Sequence, residues 1–227
     1  MAGKKTFPSA LLLPILFLLP LFFLYLFTDG RSTGVYIVSS FLLALALALS
    51  SWGIGLQSGL KYIGILPLPK NGAEIAKTLK WAIIAFFLSC LATGAVSFAL
   101  ESLGILDSAL VEKKLLTLPA IALVLAFTLS PVAEEALFRG YFFKKISESS
   151  ADRGKKPGFA ALAAGAAFSS LIFAMLHYSY GSVAEIAVAF FVGLALCAVT
   201  YKSGSLLPAI LAHSTFNFLS ILLAVFL

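Results

Sequence analysis

Apolar residues in this chain run in long stretches, and polar residues gather in the short segments between them. Seven of the stretches come close to or exceed the roughly 20 residues that carry an α-helix across a bilayer core. They cover residues 7–27, 35–57, 80–100, 116–143, 158–177, 183–201 and 205–227. The pattern predicts an all-α fold, a polytopic transmembrane helix bundle of about seven spans. A β-barrel would show strict alternation of apolar and polar positions, which is absent. The first stretch follows Lys4 and Lys5, where a cleaved leader would stand. It is longer than a leader's apolar core, contains Pro14 and Pro20, and offers no convincing small-residue cleavage site, so it reads as a retained helix. Segment 61–80, with Pro67, Pro69 and Asn71-Gly72, reads as a loop or interfacial stretch. Segment 101–114 is mixed in charge and predicts a short interfacial helix, and 144–157 is polar enough for an exposed loop. The whole is one integral membrane domain. Residues 1–115 supply N-terminal helices and interfacial segments, and residues 116–227, the fourth to seventh spans, form the core that carries the candidate chemistry.

Composition agrees. Of 227 residues, 61% are hydrophobic and only 11% charged, more apolar surface than a soluble domain of this size needs. The net charge of +6 does not point to nucleic acid, because the basic residues sit in loops beside apolar stretches, where a lipid bilayer is the partner. Their distribution sets an orientation. With a cytoplasmic N-terminus, only Arg31, Lys113 and Lys114 of the 16 Lys and Arg fall on the outer side, leaving 13 inside. The positive-inside rule then predicts an N-terminus in the cytoplasm and a C-terminus outside. Cys90 and Cys197 lie in separate apolar stretches and read as small hydrophobes, not as a disulfide or a metal site.

One stretch breaks the apolar pattern sharply: Ser130-Pro131-Val132-Ala133-Glu134-Glu135-Ala136-Leu137-Phe138-Arg139-Gly140. Ionisable groups inside a membrane segment are costly and mark function by default. Glu135 and Arg139 are four apart and can pair on one helix face, while Glu134 is turned about 100° away. Pairing neutralises Glu135 and leaves Glu134 free to face something else. Pro131 predicts a local bend.

The chain has only two histidines, and both fall in apolar stretches. His177 follows Phe173 by one turn, and His213 precedes Asn217 by one turn. Three spans therefore supply Glu134, His177, and the pair His213 and Asn217. This set suits peptide-bond hydrolysis: a carboxylate takes a proton from water, a histidine orients or relays it, and a second histidine and an amide donate to the developing oxyanion. It also suits a divalent metal such as zinc, held by Glu134, His177 and His213, that activates water. The helical zinc signature His-Glu-x-x-His is absent, and so is a Gly-x-Ser-x-Gly elbow. Each residue also has a plainer use, since buried Glu-Arg pairs are often structural and Ser, Asn and His join helices in lipid. Taken jointly, in three nearby spans, they point to a catalytic site. Two rival readings use the same groups differently, as a proton or ion path in a transporter or as a non-catalytic scaffold. Glu134 and His213 each lie about ten residues, or roughly 15 Å, from the cytoplasmic ends of their spans, whereas span 158–177 puts His177 near its outer end.

Glu134-Glu135-x-x-x-Arg139, Phe173-x-x-x-His177 and His213-x-x-x-Asn217 resemble, in order and spacing, the three motifs of the CPBP (ABI) family, intramembrane endopeptidases related to the type II CAAX prenyl protease. The resemblance runs from about residue 116 to 220. It implies that Glu134 and His177 activate the attacking water, that His213 and Asn217 form the oxyanion hole, and that Glu135 and Arg139 hold the site in shape. It further implies a membrane-associated peptide or protein substrate, prenylated or otherwise lipidated ones included; separately, water must reach a charged Glu134, which predicts a water-filled cavity open to the cytoplasm. No cofactor is needed on this reading, because four residues fill the four roles; a zinc-dependent variant would use Glu134, His177 and His213.

Overall fold

The structure is a computed structural model that describes residues 56–107, 109–150 and 156–226. The first expected span, 7–27, and all but the end of the second, 35–57, lie outside the described residues. What is described is all-helical. In chain order the elements are α1 (Leu56–Tyr62), α2 (Gly72–Ser102), α3 (Ala109–Leu116), α4 (Ala120–Phe127), α5 (Leu129–Glu135), a π-helical segment (Ala136–Phe143), α6 (Lys144–Ser149), α7 (Phe159–Leu176), a 3-10 turn (His177–Tyr180), α8 (Val183–Ser203) and α9 (Leu207–Phe226).

Among the described residues, four helices are long and apolar enough to cross a membrane: α2, α7, α8 and α9. A fifth crossing is made if α4 and the run from α5 to α6 count as one span, bent by 41°. The expected spans from 80–100 onward thus have helical counterparts, with corrections. α2 begins at Gly72 because Asn71 caps it, accepting from the Glu74 amide at 2.9 Å, while the Glu74 carboxylate accepts from the Lys70 amide at 2.9 Å. Stretch 116–143 is not one helix. It breaks at Thr128, and Pro131 falls in the first turn of α5, where its missing N–H leaves no intrahelical bond unmade. Part of the expected loop 144–157 continues the helix as α6. The short helix expected within 101–114 is α3, shifted to Ala109–Leu116.

Packing around the π segment explains its composition. All eight residues from Ala136 to Phe143 are buried, so the element is largely apolar all round apart from Arg139. Leu137, Phe138, Tyr141 and Phe142 join Phe173 and Ala174 of α7 and Ala189 of α8 in one core cluster. α8 lies against both α2 and α7, and α9 lies against α2 and α4. Gly165 of α7 sits on the end of this segment, where an added Cβ would stand 2.8 Å from the Phe143 carbonyl oxygen. The turns of α7 from Phe159 to Ala164 therefore extend past the level of Phe143. That offset brings the end of α7 alongside the cluster, where the Phe173 ring meets both His177 and His213.

Candidate active site

The adjacent carboxylates of α5 have different partners. Glu135 is fully buried, and its Oε1 accepts from Arg139 Nη1 at 2.8 Å and from His213 Nδ1 at 2.8 Å. A carboxylate paired with a guanidinium stays ionised, so the histidine nitrogen facing it must carry the proton and donate. This fixes the orientation of His213 and turns its Nε2 toward Glu134 Oε2, 3.7 Å away. Glu134 retains slight exposure at 8%, and its Oε1 accepts from Ser130 Oγ at 2.8 Å. Arg139 is 1% exposed, and its Nε and Nη2 have no hydrogen-bond partner among the described residues. Its guanidinium carbon lies 4.3 Å from the centre of the Phe173 ring, and the ring face supplies part of what hydrogen bonds do not. Gly193 of α8 makes this burial possible: a Cβ there would come within 3.2 Å of Arg139 Nη2 and 2.8 Å of Ser170 Oγ.

The Phe173 ring also organises the histidines. Its centre is 4.6 Å from that of His177 and 5.8 Å from that of His213, both edge to face. His177 does not belong to the transmembrane helix itself. It caps the end of α7 and opens the 3-10 turn, where its Nδ1 donates to the Phe173 carbonyl at 2.9 Å. A carbonyl can only accept, so Nδ1 carries the proton and Nε2 of the neutral ring presents a lone pair. No hydrogen bond or ion pair among the described residues joins His177 to Glu134. Asn217 is one turn beyond His213 on α9, half-buried, and its Nδ2 donates to the Ala126 carbonyl at 2.9 Å. That carbonyl lies in the last turn of α4, where the break at Thr128 removes regular intrahelical donors.

Glu134, Glu135, Arg139 and His213 therefore form one contiguous cluster, which His177 joins through the Phe173 ring and Asn217 flanks. Two contributors escaped the sequence reading. Ser130 precedes Glu134 by four residues, the same spacing as Glu135 to Arg139, and that spacing was the available signal. Phe173 stands four residues before a histidine in the sequence, but its contact with Arg139 and both histidines joins elements far apart along the chain and has no local signature. As metal donors, Glu134 and the two Nε2 atoms are the groups left over. Among the described residues no group of three or more His, Cys, Asp or Glu side chains is arranged to hold a metal ion. Cys90 and Cys197 are both free thiols.

A family model described as Type II CAAX prenyl endopeptidase Rce1-like matches residues 116–219, which include all six site residues. No curated protein and no solved structure matches the chain.

Proposed function

We propose, on the premise that residues 116–219 form a domain of the CAAX prenyl endopeptidase type, that the chain hydrolyses a peptide bond of a membrane-associated substrate with a glutamate-activated water. The family match supports a CAAX-type intramembrane protease in general, and the apolar helices support an integral membrane protein. The observation that carries the finer reading is the unequal environment of the two carboxylates. Glu135 is neutralised by Arg139 and bound to His213, while Glu134 has one oxygen on a hydroxyl and the other facing an imidazole at 3.7 Å.

On this reading Glu134 takes a proton from water as the water oxygen bonds to the scissile carbonyl carbon. His177 accepts from the same water through Nε2. His213, protonated between two carboxylates, donates through Nε2 to the oxyanion, and Asn217 adds the amide hydrogen not spent on Ala126. The intermediate collapses by breaking the C–N bond, and the proton on Glu134 passes to the leaving nitrogen. The substrate is a membrane-associated peptide or protein, with prenylated peptides the first to test. The N-terminus is cytoplasmic, the C-terminus outside, and the site opens to the cytoplasm. The mechanism is metal-independent because the four roles are filled by side chains. A transporter draws on one observation, the broken span at Thr128, since discontinuous helices line transporter sites, but no inverted repeat accompanies it in the sequence. The deciding experiment is cleavage of a quenched prenylated peptide by the purified chain, with and without chelator. Equal turnover in both arms is expected; no turnover would remove the protease reading, and turnover lost on chelation and restored by zinc would make it metal-dependent.

A further inference from the structure

His177 sits in a turn, not in a helix, and the turn is gripped from outside the family-matched region at two points. The first is Asp107. Its Oδ1 accepts from Ser182 Oγ at 2.7 Å and from the Ala184 amide at 3.0 Å, and its Oδ2 accepts from the Val183 amide at 2.8 Å. Val183 and Ala184 are the first residues of α8, where backbone N–H groups have no intrahelical partner and the helix dipole favours an anion. Ser182 is the fully buried cap of α8, and its hydroxyl also accepts from the Glu185 amide at 3.0 Å. A hydroxyl that donates to Asp107 while accepting from Glu185 has no rotational freedom left. The second point is Lys114 of α3, whose Nζ lies 5.6 Å from the centre of the Tyr180 ring. Tyr180 in turn stacks on His177, with ring centres 6.0 Å apart and planes inclined by 23°. Gly181, in the left-handed region at φ 73°, closes the turn between Tyr180 and Ser182.

We propose that Asp107 and Lys114 are positioning residues for His177, holding the far end of its turn through Ser182 and Tyr180, so that the segment ahead of the matched domain completes the site. The turn runs only from His177 to Ser182, with the Phe173 carbonyl fixing the imidazole at one end and Asp107 fixing α8 at the other. Displacing either end moves Nε2 relative to Glu134. The catalytic consequence rests on the endopeptidase reading; the positioning does not.

The test uses the full chain in detergent, with its histidine ring nitrogens labelled with 15N. Only two histidines are present, so each gives its own signal, assigned by the one lost in His177→Gln. In Asp107→Ala and in Lys114→Met the His177 signal shifts or broadens while the His213 signal stays. With the prenylated peptide, kcat falls about tenfold or more with KM within about twofold, as misplacement of a catalytic group predicts. Asp107→Asn recovers part of the rate, because its Oδ1 still accepts from Ser182 and Ala184. If Asp107→Ala does not fold, Lys114→Met decides. Unchanged His177 signals in the folded variants, or both histidine signals moving together, would overturn the proposal. A shifted His177 signal in a chain that cleaves nothing would keep the positioning and discard the protease.

Discussion

Glu134 and Glu135 share a helix turn, and the whole chemical difference between them comes from the roughly 100° that separates neighbours around a helix. Glu135 is directed at Arg139 and His213 Nδ1, and Glu134 at Ser130 and His213 Nε2. Removing either member of the Glu135–Arg139 pair strands a buried charge. Glu135→Ala and Arg139→Ala should each lose roughly 3–5 kcal/mol of stability, seen as a large fall in melting temperature in detergent. Melts equal to wild type would contradict the pairing. Asn217→Ala should act on turnover: an oxyanion donor matters most as the carbonyl becomes tetrahedral, so kcat falls about 100- to 1,000-fold with KM nearly constant. Steady-state kinetics check this, and a raised KM with unchanged kcat would move Asn217 to substrate binding.

At the scale of elements, the site depends on irregular helix. The π segment displaces carbonyls from their regular partners, and Ser169 of α7 donates to one of them, Phe138, at 2.7 Å. Ser169→Ala leaves that buried carbonyl short of a donor and should cost about 1–3 kcal/mol, measurable by denaturation in detergent. The Asp107 clasp is testable by pH. The Ser182 hydroxyl, then the Ala184 and Val183 amides, hold the Asp107 carboxyl below its ordinary 3.8. A carboxyl whose folded pKa is depressed stabilises the fold above the unfolded value and stops doing so as pH falls through the folded value. The gap in melting temperature between wild type and Asp107→Asn should therefore be open at pH 7, persist down to about 3.8, and close only below it. A gap independent of pH would argue against an ionised clasp. Helix spacing made part of this legible: pairs four apart, such as Glu135 with Arg139 and His213 with Asn217, were visible because they need only local geometry. The contact of His213 with Glu135 spans 78 residues and has no local signature. Pro131 pointed to a bend, but the break falls at Thr128, because proline is tolerated in a first turn and so marks where a helix begins.

Across the whole molecule, the apolar stretches from 80–100 onward located four helices long and apolar enough to cross a membrane and one bent pair, since lipid demands unbroken hydrophobic surface of a fixed length. Phe87, Leu91 and Phe98 of α2 and Phe226 of α9 are exposed, a surface that suits acyl chains and not water. What the stretches hid was depth. α7 begins beyond the level of Phe143, and the offset places His177 beside the Phe173 ring that also meets His213. The segment holding Asp107 and Lys114 drew attention only as a mixed-charge connection, because its partners in the 3-10 turn and α8 lie far along the chain. The central claim is that Glu134 is the base for an attacking water. Turnover of a quenched prenylated peptide by purified wild type and Glu134→Ala, with folding matched by melting temperature, tests it most directly. Turnover by wild type and its loss by at least about 100-fold in the folded variant are predicted; a folded Glu134→Ala chain that cleaves at the wild-type rate would contradict the account.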